Sequence, residues 1–251
     1  MALIIAHRGA SGDVPENTAE AFERAWRDDA DGIELDVRLS ADNEAVLSHD
    51  PTLHRTAGDA RLIKKIPYKE LACIDVGSWK GQKWKKCRIP LLFSVLQSVP
   101  ENRRVYMELK DGEETLPVVS TVLDTVPHLK KSVTFISFDY KTLQLYRHAF
   151  PDSQILWLID TRIIPAEWNK CIVSEIISKA NVARLDGIDI NACSCVDTSF
   201  TAALSAASLQ LHVWDVDCVD KCREMLELGA KSITTNYPGK LKTGILRLYR
   251  R

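Results

Sequence analysis

No apolar run in this chain approaches the roughly 18 residues that a membrane-spanning helix requires. The opening stretch, Met1-Ala2-Leu3-Ile4-Ile5-Ala6, is too short for the core of a signal peptide, and no basic segment precedes it. An excess of either charge is also missing: 33 Lys and Arg stand against 34 Asp and Glu, a net charge of −1. That balance argues against an extended basic face for nucleic acid and against a polybasic anchor. Low-complexity segments and linker-like stretches are absent. The expectation is a soluble cytoplasmic protein with a small-molecule substrate, no nucleic-acid partner and no stable membrane anchoring. Familiar zinc spacings are missing too. Cys193-x-Cys195 and Cys218-x3-Cys222 match no such module, and no histidine sits at a matching interval. The cysteines (Cys73, Cys87, Cys171, Cys193, Cys195, Cys218 and Cys222) are seven, an odd count; without an export signal they are expected to be reduced, inert thiols.

What the chain does contain is alternation. It has 251 residues, 45% of them hydrophobic, enough for a large core in one α/β barrel. Apolar runs suited to parallel strands buried on both faces fall at 3–7, 32–37, 105–110, 133–137, 154–159, 187–190, 211–214 and 232–235. Amphipathic helical patterns lie between them. The first starts at Asn17 or Thr18, where Asn17-x-x-Glu20 has the form of a capping box. The others fall at 91–99, 113–126, 140–149, 166–180, 198–207, 217–228 and 241–249. This predicts an α/β fold, a (β/α)8 TIM barrel, as one domain over 1–251. A doubly wound open sheet would want G-x-G-x-x-G after the first strand, and His7-Arg8-Gly9-Ala10-Ser11-Gly12 lacks that form. The long interval between the second and third strands predicts a small insertion at about 49–88, beside the barrel mouth. Its Trp79, Trp84, Lys80, Lys83, Lys85 and Lys86 suit either a cover for the pocket or a solvated edge.

The chemistry-bearing residues sit at strand ends, where barrel active sites are built. Glu34 and Asp36 share one strand face by period two, as do Glu108 and Lys110 on the next strand. Several carboxylates on one buried face are costly unless a cation neutralises them. Glu34, Asp36 and Glu108 form a hard, all-oxygen set suited to one divalent cation, Mg2+ or Ca2+. His7 closes the first strand and is followed by Arg8, whose planar fork suits a phosphate oxygen. His49 follows the second strand and precedes Asp50. Two histidines beside one metal can divide acid and base work near neutral pH. His54, His128, His148 and His212 lack such company and receive no role.

Taken together, His7-Arg8-Gly9, Pro15-Glu16-Asn17-Thr18, Glu34-x-Asp36, His49-Asp50 and Glu108-x-Lys110 resemble the glycerophosphodiester phosphodiesterase family. Weaker matches extend to Ser137-Phe138, Trp214 and Thr235-x-Tyr237-Pro238. The resemblance implies a (β/α)8 barrel that hydrolyses glycerophosphodiesters to glycerol 3-phosphate and an alcohol. By that resemblance Glu34, Asp36 and Glu108 bind a divalent cation (Mg2+ or Ca2+, with Mn2+ as a substitute). His7 and His49 are the acid/base pair, Arg8 and Lys110 hold the phosphate, and Trp214 is a substrate contact. Two positions depart from the family: Asn236 stands where Asp is frequent, and Asp217 where Asn is frequent. Both are expected to lie outside the metal and histidine set. A lysophospholipase D or sphingomyelinase D-like activity and a non-catalytic binding barrel are the alternatives. The sequence does not choose between water and the glycerol 2-hydroxyl as nucleophile.

Overall fold

The computed structural model describes residues 2–163 and 168–249, with side chains described as far as 246. Eleven strands occur among the described residues: β1 (Leu3–Ala6), β2 (Gly32–Leu39), β3 (Ala45–Leu47), β4 (Thr52–Leu53), β5 (Asp59–Leu62), β6 (Arg104–Leu109), β7 (Val133–Ser137), β8 (Gln154–Ile159), β9 (Gly187–Asn191), β10 (Gln210–Trp214) and β11 (Ser232–Thr235). Eight of them run parallel in the order β1-β2-β6-β7-β8-β9-β10-β11. The pairing of β11 with β1 closes the ring. This is the expected (β/α)8 barrel, and every predicted strand is present to within two residues at each end.

Period two divides each strand between two environments. One set of side chains, including Ile4, Ala6, Ile33, Leu35, Val105, Met107, Phe135, Ile155, Ile188 and Val213, packs outward under the helices in the main core. The other set enters the lumen, where Ile5, Tyr106, Ile136, Leu156 and Leu158 form a second apolar cluster. At the start of the strands the lumen turns polar. Thr134 Oγ1 donates to Gln154 Oε1 at 2.8 Å, and Gln154 Nε2 donates to Gln210 Oε1 at 3.0 Å. His212 Nδ1 lies 2.7 Å from Ser232 Oγ, and burial pushes its pKa down to about 3. It is a satisfied neutral core histidine, as its lack of polar company in the sequence suggests.

The barrel helices are Ala19–Arg27, Leu92–Gln97, Leu116–Thr125, Tyr140–Ala149, Lys170–Val182, Thr198–Ala206, Val219–Glu227 and Pro238–Tyr249. The helix expected at 166–180 begins at Lys170; Ala166 and Glu167 lie outside the described residues. The helix expected from Asp217 starts two residues later, because Cys218 takes the capping position and Asp217 is used elsewhere.

The insertion begins earlier than expected. The chain reverses after β2, and β3 runs back antiparallel along it with Val37 opposite Leu47. His49 therefore follows this return strand rather than β2 itself. The β4–β5 ribbon and short helical turns complete the insertion around a core of its own: Val46, Leu53, Ile63, Ile66, Leu71, Val76 and Ile89. No helix among the described residues is long and apolar enough to cross a membrane.

Of the two starts proposed for the first helix, Thr18 is the cap. Its hydroxyl accepts from Ala21 N at 3.2 Å and donates to Pro15 O at 2.7 Å. That frees Asn17 for another task at the barrel mouth. Thr18→Ala loses both bonds in a fully buried position and is expected to cost about 1–2 kcal/mol in urea unfolding. An unchanged midpoint would show that the cap does not hold this turn.

Candidate active site

The motif His7-Arg8-Gly9 turns sharply off the end of β1. Arg8 has φ +53° and Gly9 φ +78°, both left-handed, and a Cβ at Gly9 would fall 2.6 Å from the backbone of Ala21. The cost of holding Arg8 there is met by its neighbours: Arg8 N donates to Glu34 Oε2 at 2.8 Å, and Arg8 O accepts from Asn17 N at 3.0 Å. Asn17 in turn clamps Asp36. Its Nδ2 donates to Asp36 Oδ2 at 2.7 Å, and its Oδ1 accepts from Asp36 N at 3.2 Å.

Glu34, Asp36 and Glu108 converge as the strand periodicity requires. All three are buried, and one oxygen of each lies within 4.8 Å of the others. Two cations stand against them. Arg8 Nε is 3.2 Å from Asp36 Oδ2, while Lys110 Nζ is 3.2 Å from Asp36 Oδ1 and 2.7 Å from Glu108 Oε1. Two positive charges do not balance three carboxylates. Burial, reinforced by Asp36, holds Glu34 well above the usual carboxylate range. Burial likewise raises Glu108 to about 7. Burial opposes the charge on Asp36 as well, but Lys110 and Arg8 hold its pKa below the ordinary value. Asp36 Oδ1 is buried and makes no hydrogen bond. An all-oxygen donor set with one carboxylate more than its cations balance, and with Glu34 and Glu108 held up in pKa by burial, fits a divalent cation.

The histidines flank this cluster. His7 Nδ1 lies 3.0 Å from Asp215 Oδ1 and 2.9 Å from Asn236 Oδ1. Both are acceptors, so this network puts the proton on Nδ1 and leaves Nε2 as the free base, 4.0 Å from Glu34 Oε2. His49 Nδ1 lies 2.8 Å from Asp50 Oδ1, and Arg38 fixes the His49 carbonyl through two N–H groups. Burial lowers both imidazole pKa values, with Arg8 adding to the effect.

Seven of the eight residues singled out in the sequence line one cavity of about 340 Å³: His7, Arg8, Glu34, His49, Glu108, Lys110 and Trp214. The eighth, Asp36, lies directly behind Arg8 and Lys110. The opposite wall carries Phe138, edge-on to Trp214 at 6.0 Å, and the Arg162 guanidinium 5.3 Å from the Trp214 ring centroid. Arg162 is held by Asp160 at 2.7 Å.

Four features were missed or misplaced. Asp217 and Asn236 do not lie outside the histidine set. Asn236 Oδ1 faces His7 and accepts from Ser11 Oγ, while Asn236 Nδ2 donates to Asp217 Oδ2 at 2.7 Å. The two departures lie side by side, joined to each other by that hydrogen bond. Asp215 was overlooked although it follows Trp214 at a strand end. Asp189 was overlooked inside the run Ile188-Asp189-Ile190, where an acid interrupting a buried apolar strand is itself the signal. The fourth is covalent: Cys193 and Cys195 form a disulfide in the loop after β9, so the expectation of seven reduced thiols is corrected to five. Paired residues two apart fall outside the parity argument, which counted cysteines and not their positions.

Comparison with known proteins accords with the site. The glycerophosphoryl diester phosphodiesterase family model matches residues 7–240. The chain belongs to that family. It is an enzyme of the phosphodiesterase class, and several relatives align with it along most of their length. A glycerophosphodiester phosphodiesterase of Bacillus altitudinis is 30% identical over 96% of this chain and 96% of its own. A phosphodiesterase of Oleispira antarctica, solved with the product sn-glycerol-3-phosphate, is 27% identical with a TM-score of 0.82, covering 97% of this chain and 96% of that one. A lysophospholipase D of Rattus norvegicus is 25% identical over 95% of this chain and 84% of its own.

Asp189 gives this site a pH signature. It is buried on the cavity wall, its Oδ1 makes no hydrogen bond, and burial, with Asp215 and Glu108, raises its pKa from 3.8 to about 8. Between those values the native state keeps a proton that the unfolded chain has lost, so stability falls as pH rises through the native pKa. In chelated protein, Asp189→Asn should gain about 1–3 kcal/mol over wild type near pH 8 and much less near pH 5. Urea unfolding at the two pH values measures the difference; an equal effect at both removes the buried-acid argument.

Proposed function

We propose that this chain hydrolyses glycerophosphodiesters to glycerol 3-phosphate and an alcohol, using one divalent cation held by Glu34, Asp36 and Glu108. The observation that carries this reading is the meeting of three buried carboxylates with two carboxylate-bound histidines and two cations in one cavity. Mg2+ or Ca2+ suits the oxygen donors, and Mn2+ is a substitute. When bound, the cation supplies Lewis acidity toward the phosphate. Chain 1–251 acts as one catalytic barrel unit with the segment 49–88 as its insertion. Its five unpaired cysteines favour a cytoplasmic location.

Arg8 and Lys110 hold the phosphate oxygens, and Trp214 walls the organic part of the substrate. His7 is the base. Asp215 and Asn236 keep its Nδ1 protonated, and burial with Arg8 keeps the ring neutral at rest, so Nε2 accepts the nucleophile's proton. His49 is the acid. It is more exposed than His7, 33% against 15% by side chain; burial lowers its pKa, and Asp36 and the Asp50 hydrogen bond work against that and favour the protonated ring. It delivers a proton to the leaving alcohol oxygen.

Lysophospholipid cleavage is the second reading, favoured by the similarity to the rat lysophospholipase D. Turnover of glycerophosphocholine and of a lysophospholipid in micelles separates the two, and preference for the soluble diester is expected. A barrel that binds without turnover is disfavoured, because both histidines and all three carboxylates are in place.

Exhaustive chelation should abolish turnover, and Mg2+, Mn2+ or Ca2+ should restore it; full activity in the chelated protein removes the metal site. His7→Ala and His49→Ala should each lower kcat by about 10²-fold or more. A nitrophenyl diester, which needs no proton donor, should rescue His49→Ala and not His7→Ala. Rescue of the reverse pattern exchanges the two roles, and full activity of both variants on a natural diester ends the two-histidine mechanism.

A further inference from the structure

The insertion is electrostatically unlike the rest of the chain. Beyond its return strand, residues 49–88 hold ten Lys and Arg against four Asp and Glu, a net charge of +6 in a chain of net −1; the reversal and return strand at 40–48 add Asp42 and Glu44, which leaves the whole insertion at +4. The acids of 49–88 are already engaged, and none with a lysine. Asp50 holds His49 and Arg55, Asp59 and Glu70 hold Arg61, and Asp75 accepts from Ser78 Oγ. Lys64, Lys65, Lys69, Lys83, Lys85 and Lys86 are all exposed, and none forms an ion pair among the described residues. The insertion also exposes two large apolar side chains, Leu62 and Trp79, each 43% accessible.

The insertion is also tied to the active site. Arg55 pairs with Glu16 at 2.7 Å, and Glu16 pairs with Arg8 at 3.0 Å. Lys80 Nζ donates to Ser11 O, and Ser11 donates to the Asn236 that faces His7. Trp79 is fixed by Nε1 donating to Val76 O at 2.9 Å, with Arg55 and Lys80 against its ring at 5.9 and 5.4 Å.

We propose that this insertion is a reversible docking surface for an anionic lipid membrane, with the unpaired lysines drawn to the head groups and Trp79 and Leu62 entering the interface. Each lysine near such a surface contributes about fivefold in binding, so the charge alone gives substantial, salt-sensitive association without any inserted helix. Exposed tryptophan and leucine supply the second signal that stable peripheral binding needs. Six lysines without an ion pair, in the same insertion as an exposed indole held by Val76, Arg55 and Lys80, favour that reading over a solvated edge. Docking there would hold the catalytic mouth close to phospholipid products as they leave the membrane.

The test is sedimentation of the intact chain with phosphatidylcholine vesicles with and without phosphatidylserine, at low and high salt. Binding is expected only to the anionic vesicles, and salt should release it. The combined variant Lys83→Glu, Lys85→Glu, Lys86→Glu should bind on the order of a hundredfold more weakly. Trp79→Ala should weaken binding further with its salt dependence retained. Both variants should turn over soluble diester like wild type, which shows that they are folded. Equal binding of wild type to neutral and anionic vesicles, or undiminished binding by the charge-reversed variant, overturns the proposal. Displacement by single-stranded RNA at matched phosphate, with Trp79→Ala binding vesicles like wild type, would make the surface a general polyanion site and also overturn it.

Discussion

Three carboxylates share one end of the barrel, and the arrangement around them follows from the need to keep them there. Glu34 and Asp36 leave β2 on the same face, and Glu108 comes from the neighbouring β6, where it stands opposite Asp36 in register. Their mutual repulsion at low solvent exposure would expel them from an ordinary core. Arg8 and Lys110 counter part of the charge, and Asn17 binds both the side chain and the backbone of Asp36. The left-handed turn at Arg8 and the release of Asn17 from capping duty serve the same end. The remaining charge deficit is what would let the cluster hold a cation, where a fully paired network would not.

A similar logic extends behind His7. Its Nδ1 faces a carboxylate from the end of β10 and an amide from the end of β11, and the amide is oriented by Asp217. Asp217 also accepts from Thr235 Oγ1 and from the backbone N–H of Asn236, so it satisfies three donors at once. Asp217 thereby fixes the amide that meets the imidazole, and Asp215 supplies the negative charge that faces His7 Nδ1 directly.

Strand positions were legible because the barrel strands are buried on both sides, and an uninterrupted apolar run is the direct trace of that environment. The metal set was legible because period two places i and i+2 on one face whatever the tertiary structure. Contacts made between ends of distant strands left no such trace. Nothing local in Asp215 or Asn236 shows that each meets a histidine more than two hundred residues away in the chain. The reversal into β3 was missed for a related reason. Ala45-Val46-Leu47 is too short to announce a strand by periodicity, and only its pairing with β2 gives it one.

Net charge is a bulk property that hides how the charges are distributed. A value of −1 describes a chain whose charges are evenly mixed, and these are not: without residues 49–88 the remainder carries a surplus of seven acids. Part of that surplus is the inward-facing catalytic cluster, which solvent and partners do not see. Exposed charges act over about 8–10 Å at physiological salt. An approaching surface therefore meets the local sign, not the total. The same chain therefore carries an inward-facing group of acids and, at 49–88, an outward-facing excess of bases, and the total of −1 describes neither.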